Sequence, residues 1–304
     1  MNTTYQQIID VNHIASYKSV EHIPDILALG RSENINPASQ DQKRNLLLAI
    51  DVQNDFMESI GSLAVPGSKE DVQRLTKWMY HNIASLTQII CSLDCHSLMQ
   101  VFHPVWWIDR EGNHPSPFTI ITYEDVVQGI WTAANGEHDH SMDYLHNLEI
   151  ENKKNLCIWP YHCLEGTVGE KLESQFTKML YFHAAARSTA PRLIYKGQNP
   201  YSEMYGIIKA EYDPEHYINF EVLNAVSQYD SIYIAGQASS HCVLASVNQI
   251  LEYFADNREI TSRITILEDC MSPITGFEDS TKQQFEALRK QYGIHICKST
   301  DINL

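Results

Sequence analysis

The stretch YIAGQASSHCVLASV, Tyr233 to Val247, sets the fold. An apolar run stops at Gly236 and small polar residues follow. Apolar residues at helical spacing then begin at Val243 and continue through Val247, Ile250, Leu251 and Phe254. That is a strand turning into a helix, with Cys242 set in the turn. Five other apolar runs break off in the same way: Asn45–Asp55, Leu86–His96, Ala190–Gly197, Arg263–Cys270 and Gly293–Ser299. With Ser231–Gly236 they are continuously apolar rather than alternating, which marks strands covered on both faces. Helical spacing fills the intervals. Val72, Leu75, Met79 and Ile83 follow Ser68 as an N-cap, Leu172, Phe176, Met179 and Leu180 form a second set, and a capping-box spacing, STKQ, opens another at Ser280. The alternation predicts a three-layer α/β/α fold around a central, mostly parallel, doubly wound sheet. Chemistry in such sheets gathers at the carboxyl ends of the strands.

Composition narrows the functional classes. The chain has 304 residues, 43% of them hydrophobic, and a net charge of −16 from 22 basic and 38 acidic side chains. That balance argues against nucleic acid or an anionic membrane as a partner. The longest aliphatic run, Leu46 to Ile50, is far too short to span a bilayer. The opening MNTTYQQIID has no basic, apolar signal pattern, and the seven scattered cysteines do not form a disulfide framework. Reduced thiols and a cytoplasmic location are expected. Residues 1–44 are polar and weakly patterned, an extension over the core or onto a partner subunit. Residues 45–304 read as a single domain with an insertion at about 104–158. The insertion is long for a loop and is expected to carry local structure and to act as a lid or contact surface. Within it, Glu137–His140 (EHDH) reads as a solvated face.

Three strand ends carry reactive groups. Asp51 follows LLLAI, Lys196 follows RLIY, and Cys242 lies just past YIAG. Parallel strands bring such ends to one edge. A helix start favours a thiolate, so a depressed thiol pKa is expected for Cys242, with Asp51 as proton acceptor and Lys196 holding the anions. Singly, each has a plain structural reading: a packed cysteine, a turn aspartate, a solvated lysine. A second set is Asp94 and His96, alternate residues that share a face at a strand end, with His103 beyond and His162 in WPYHC. Two histidines and a carboxylate suit one divalent ion, zinc first and iron or manganese as alternatives.

The ordered motifs AIDVQNDFM, GSLAVPG, DCH, IWPYHCLEGTVG, YKG and AGQASSHCV resemble those of the isochorismatase-like cysteine hydrolases, nearest the nicotinamidase/pyrazinamidase branch. The resemblance covers about residues 45–300. It implies Asp51, Lys196 and Cys242 as a catalytic triad, and Asp94, His96 and His162 as metal ligands, with His103 near a further ligand position. It places Phe56 and Trp159 around an aromatic substrate ring. It also implies a cis Gln237–Ala238 bond, with the N–H groups of Ala238 and Cys242 as the oxyanion hole. The implied reaction is hydrolysis of a small, nicotinamide-like carboxamide through a cysteine thioester. A ureido or carbamoyl amide shaped by residues 104–158 is the alternative, followed by a catalytically silent binding protein. Homo-oligomers are common in the family. The chain departs from the family pattern at Gln237, at SSH (Ser239–His241), along KGQNPYSEMYG (Lys196–Gly206), and in the metal motif DCHSLMQVFHPVWW (Asp94–Trp107) and the long insertion after it.

Overall fold

A computed structural model describes residues 1–17, 22–151 and 153–304. Parts of the predicted N-terminal extension (18–21) and insertion (152) lie outside the described residues. All six apolar runs become strands of one sheet: β1 (Asn45–Ile50), β2 (Leu86–Asp94), β3 (Arg192–Lys196), β4 (Ser231–Gly236), β5 (Ile264–Leu267) and β6 (His295–Cys297). Their spatial order is β6-β5-β4-β1-β2-β3 and every pairing is parallel. The order reverses between β1 and β4, which makes that crevice the topological switch point.

The helices are α1 (Ile23–Arg31), α2 (Ser68–His81), α3 (His138–Glu151), α4 (Ser174–Arg187), α5 (Phe220–Gln228), α6 (Leu244–Tyr253) and α7 (Glu278–Tyr292). Strand alternation sorts the side chains into two cores. Leu47 and Ala49 of β1 join Ile89 and Leu93 of β2 in one core with residues of α1, α2 and α4. Leu46, Leu48 and Ile50 join Ile232 and Ile234 of β4 in the other, against α5, α6 and α7. Each fully buried leucine or isoleucine contributes about 1.5–3 kcal/mol relative to exposure, so burial on both faces is what makes β1, β2, β4 and β5 read as unbroken apolar runs. The edge strands β3 and β6 correct that expectation, since Leu193, Tyr195 and His295 are exposed.

Three helix starts differ from the sequence reading. The N-cap of α2 is Gly67, and the Ser68 hydroxyl instead accepts the Glu58 N–H at 2.8 Å. Helix α7 begins at Glu278, so Ser280 lies inside its first turn and its hydroxyl donates to the Phe277 carbonyl. A π-turn, Ser239–Val243, precedes α6. The apolar periodicity locates a helix body, but which polar group meets its first N–H groups is decided by the chain around it.

The N-terminal residues lie over the first core, where Ile8, Ile9, Ile14 and Ile26 are buried. Glu173 ties this segment to α4, accepting from Phe176 N–H at 2.8 Å and Ala15 N–H at 3.3 Å. The insertion has the expected local structure. It contains two short antiparallel ribbons, Trp107–Ile108 with Thr132–Ala133 and Ile120–Ile121 with Leu156–Cys157, a short helix, Tyr123–Val127, and α3. His138, Asp139 and His140 are exposed, as expected for a solvated face. No helix among the described residues is long and apolar enough to cross a membrane.

Candidate active site

The carboxyl ends of β1, β2, β3 and β4 meet at the switch point. Asp51 leaves β1 with φ +47, in the left-handed region that aspartate tolerates better than most residues. Gly236 closes β4 with φ +126, and a Cβ there would lie 1.9 Å from the Ile50 carbonyl oxygen. Only glycine lets the two strand ends approach so closely. The next peptide, Gln237–Ala238, is cis, and the chain then turns through the π-turn that holds Cys242.

Asp51, Lys196 and Cys242 are all but fully buried, at 0%, 2% and 6% exposure. The Lys196 ammonium lies 2.9 Å from Asp51 Oδ2 and 3.6 Å from Cys242 Sγ, donates to Asp94 Oδ1 and donates to the Met204 carbonyl at 3.1 Å. Ser92 of β2 donates to Asp51 Oδ1 at 2.6 Å, while the Asp51 N–H reaches back to the Ser92 carbonyl at 3.2 Å. The Oδ2 atom, although close to the ammonium, makes no aligned hydrogen bond. It is the Asp51 oxygen that is ion-paired with the Lys196 ammonium rather than held by Ser92.

Burial raises the Asp51 pKa to about 6, with Lys196 opposing and Asp94 reinforcing the rise. Burial acts the same way on Asp94, but Lys196, His96 and His162 together outweigh it and Asp94 stays well below the ordinary carboxylate range. Burial works against the Lys196 charge, yet the two carboxylates hold its pKa well above the ordinary value. The Cys242 thiol is pushed far up, first by burial and then by Asp51 and Asp94 against Lys196. This corrects the expectation of a thiolate favoured by the helix start. Two neighbouring carboxylates and a dry site outweigh a helix terminus, so the resting sulfur is protonated.

Next to this cluster, ligand atoms of Asp94, His96 and His162 lie within 4.8 Å of one another. The histidines share one arrangement. Nδ1 of His96 faces the Gly197 carbonyl at 3.0 Å, that of His162 the Pro160 carbonyl at 2.7 Å, and that of His103 the Leu98 carbonyl at 3.1 Å. Donation from Nδ1 leaves each Nε2 with a free lone pair. Burial lowers the pKa of His162 to about 3 and of His103 to about 4, which keeps both in the neutral, ligating form. Nε2 of His103 is buried without a partner, and its ring lies about 6 Å from those of His96 and His162. Gly197, with φ +74, admits His96, since a Cβ there would sit 2.4 Å from the imidazole. These residues fit a divalent ion. A second group of close donors, Asp51, Asp94 and Cys242, already surrounds the Lys196 ammonium, which supplies the positive charge there.

No family model matches the chain. It is 23% identical over 254 residues to the nicotinamidase of Saccharomyces cerevisiae, covering 82% of this chain and 97% of that protein. The crystal structure of yeast nicotinamidase bound to the inhibitor nicotinaldehyde superimposes with a TM-score of 0.58 at 19% identity, over 84% of this chain and 99% of that one. A nicotinamidase/pyrazinamidase from Acinetobacter baumannii gives 0.57 at 18% identity, over 86% and 99%.

The chain shares the fold of these nicotinamidases.

The motif DVQND frames the candidate site. Gln53 accepts the Asp94 N–H at 2.8 Å and donates to the carbonyls of Asp94 and Glu170, each at 2.7 Å. Asn54 donates to the Val168 carbonyl at 2.8 Å. Asp55 accepts the N–H groups of Cys163, at 2.7 Å, and Ser62, at 3.2 Å. Three consecutive side chains thus pin the β2 terminus and the loop carrying His162 beside the triad.

A pocket of about 460 Å³ of empty space, partly continuous with solvent, opens above Cys242. Phe56 and Trp159 line it as expected, with Asp94, His96, His162 and Ala238. Gln237 lines it with nothing, because its side chain turns away to Asp71 Oδ2 at 3.0 Å. Among the described residues none of 104–158 lines it either; Tyr144 of the insertion instead bonds Glu203 of the pocket wall from behind. The sequence reading missed Leu63, Phe102, Glu203, Met204, Tyr205, His241 and Ile274. Five of these, Phe102, Glu203 to Tyr205 and His241, fall in three stretches where the chain departs from the family pattern, and that departure was their signal.

Proposed function

We propose that the protein hydrolyses a small aromatic carboxamide of the nicotinamide type to its carboxylate and ammonia, through a thioester on Cys242. The observation that carries this reading is the convergence of a buried Asp51, Lys196 and Cys242 at the floor of an aromatic pocket. The similarity to nicotinamidases supports it, as does the inhibitor of the yeast enzyme, an aldehyde in place of the carboxamide.

Asp51 Oδ2 takes the thiol proton as Sγ adds to the carboxamide carbon, and the N–H groups of Ala238 and Cys242 serve the developing oxyanion. Asp51 returns that proton to the departing nitrogen, ammonia leaves, and the acyl group stays on sulfur. Water then attacks the thioester. Asp51 accepts its proton and passes it to the leaving thiolate, restoring the thiol. Lys196 stays charged throughout, 3.6 Å from the sulfur on which negative charge develops. Phe56 and Trp159 present the ring with apolar walls. A divalent ion held by Asp94, His96 and His162, with His103 as a further donor, would supply a Lewis-acidic anchor for a ring nitrogen or a water facing it. The donor set suits zinc best. A single catalytic domain over 45–304, a cytoplasmic location and homo-oligomeric assembly complete the reading.

The test is ammonia release from nicotinamide by metal-loaded and by chelator-treated protein, with Cys242→Ala as the blank. Turnover is expected with the loaded wild type, with a loss of at least about 10³-fold in the variant. Near-normal turnover without the thiol would falsify the mechanism. Silence with nicotinamide, from metal-loaded protein whose Cys242 still alkylates, would discard the substrate.

A further inference from the structure

Glu203 is a buried carboxylate in the pocket wall that the reaction above does not use. It is 3% exposed, and burial raises its pKa to about 7. Three donors from three parts of the chain converge on it. Trp159 Nε1 donates to Oε1 at 3.0 Å, the Tyr205 hydroxyl donates to the same oxygen, and the Tyr144 hydroxyl donates to Oε2 at 2.9 Å. Trp159 and Tyr205 line the pocket, whereas Tyr144, 2% exposed, comes from α3 of the insertion. Trp159 Nε1 also reaches the Tyr205 hydroxyl at 2.9 Å, so the two rings are fixed to each other as well as to the carboxylate. They meet edge to face, with centroids 6.3 Å apart, and the His241 ring abuts Trp159 at 5.4 Å. Behind Tyr205, the Lys154 ammonium lies 5.4 Å from its ring centroid and pairs with Glu211 at 2.8 Å.

We infer that Glu203 is a positioning residue: gripped by Tyr144, it locks Trp159 and Tyr205 as a rigid wall and so makes the pocket select flat aromatic rings over flexible aliphatic amides. An indole N–H and two phenol groups buried together need an acceptor, and a carboxylate is the strongest available. Without it the donors seek other partners and the rings lose their common orientation. A flat ligand gains most from a wall already in place, because ordering the side chains on binding would weaken its affinity. The insertion would therefore influence the substrate from behind the pocket without touching it, through the Tyr144 hydroxyl on Glu203, with Lys154 behind Tyr205 and Phe118 edge-on to Trp159 at 5.9 Å. This inference rests on the proposed amidase function, and its test separates the two.

The full-length protein would be compared with Glu203→Gln and Tyr144→Phe for nicotinamide kinetics. The same changes would be made in a Cys242→Ala background for nicotinamide binding by calorimetry. KM and Kd are expected to rise about tenfold in Glu203→Gln, and less in Tyr144→Phe, with kcat within about twofold of wild type. Iodoacetamide labelling of Cys242 and bound metal should stay unchanged. If wild type is silent but the Cys242→Ala protein binds nicotinamide and the added substitution weakens that binding, the wall stands and the amidase reading falls. The inference is overturned by unchanged KM and Kd with only a lower melting temperature. Metal loss in Glu203→Gln, or no nicotinamide binding to the Cys242→Ala protein, would overturn it too.

Discussion

Asp51 has a carboxylate held on one oxygen by Ser92 and ion-paired on the other with Lys196, and its pKa is raised to about 6 by burial. Below that value the carboxyl is protonated and cannot take the thiol proton, so activity falls as pH drops through about 6. The acid limb of kcat/KM against pH should show this midpoint, and Asp51→Asn should abolish turnover at every pH. A rate flat down to pH 4 would exclude Asp51 as the base. The convergence of Asp51, Lys196 and Cys242 was legible in the sequence because each follows an apolar run closely, and a parallel sheet gathers such ends. The protonation of Cys242 was not. The sequence shows a helix start beside the thiol, but nothing in it announces two carboxylates packed around the sulfur. Glu203, Tyr205 and His241 were hidden for another reason: pocket walls have no periodicity, and only their mismatch to a family pattern marked them.

At the scale of elements, the strands were the plainest signal, since burial on both faces removes the polar alternation that blurs shorter or half-exposed strands. Helix starts were the weakest, as Ser68 and Ser280 show: each hydroxyl bonds outside the cap role that its position suggests. The junction of β1 and β4 yields the strongest stability prediction. Gly236→Ala would place a methyl group 1.9 Å from the Ile50 carbonyl oxygen at a φ of +126. A loss of at least about 3 kcal/mol in unfolding free energy is expected, from backbone strain and overpacking together. Urea denaturation measures it, and a variant within about 0.5 kcal/mol of wild type would show that the strand ends can separate.

Over the whole molecule, the N-terminal residues behave as part of the first core. Deleting residues 1–17 would uncover the face on which Ile8, Ile9 and Ile14 are buried. At about 1.5–3 kcal/mol for each such side chain, offset in part by the entropy of the released chain, a clear drop in melting temperature is expected. An unchanged thermal transition would mean that the segment rests on the core without supporting it. The insertion was legible as structured but not in its position, since contact order between distant segments leaves no mark on local spacing. A further consequence follows from the bonds of Gln53, Asn54 and Asp55. Apart from their own chain neighbours, every partner they hold is a main-chain N–H or carbonyl, and none belongs to Glu203, Tyr205 or His241. The framework is therefore indifferent to the identity of the side chains that face the ligand. The protein is modular at its own centre: its lining can be redrawn while the arrangement of Asp51, Lys196 and Cys242 is inherited intact.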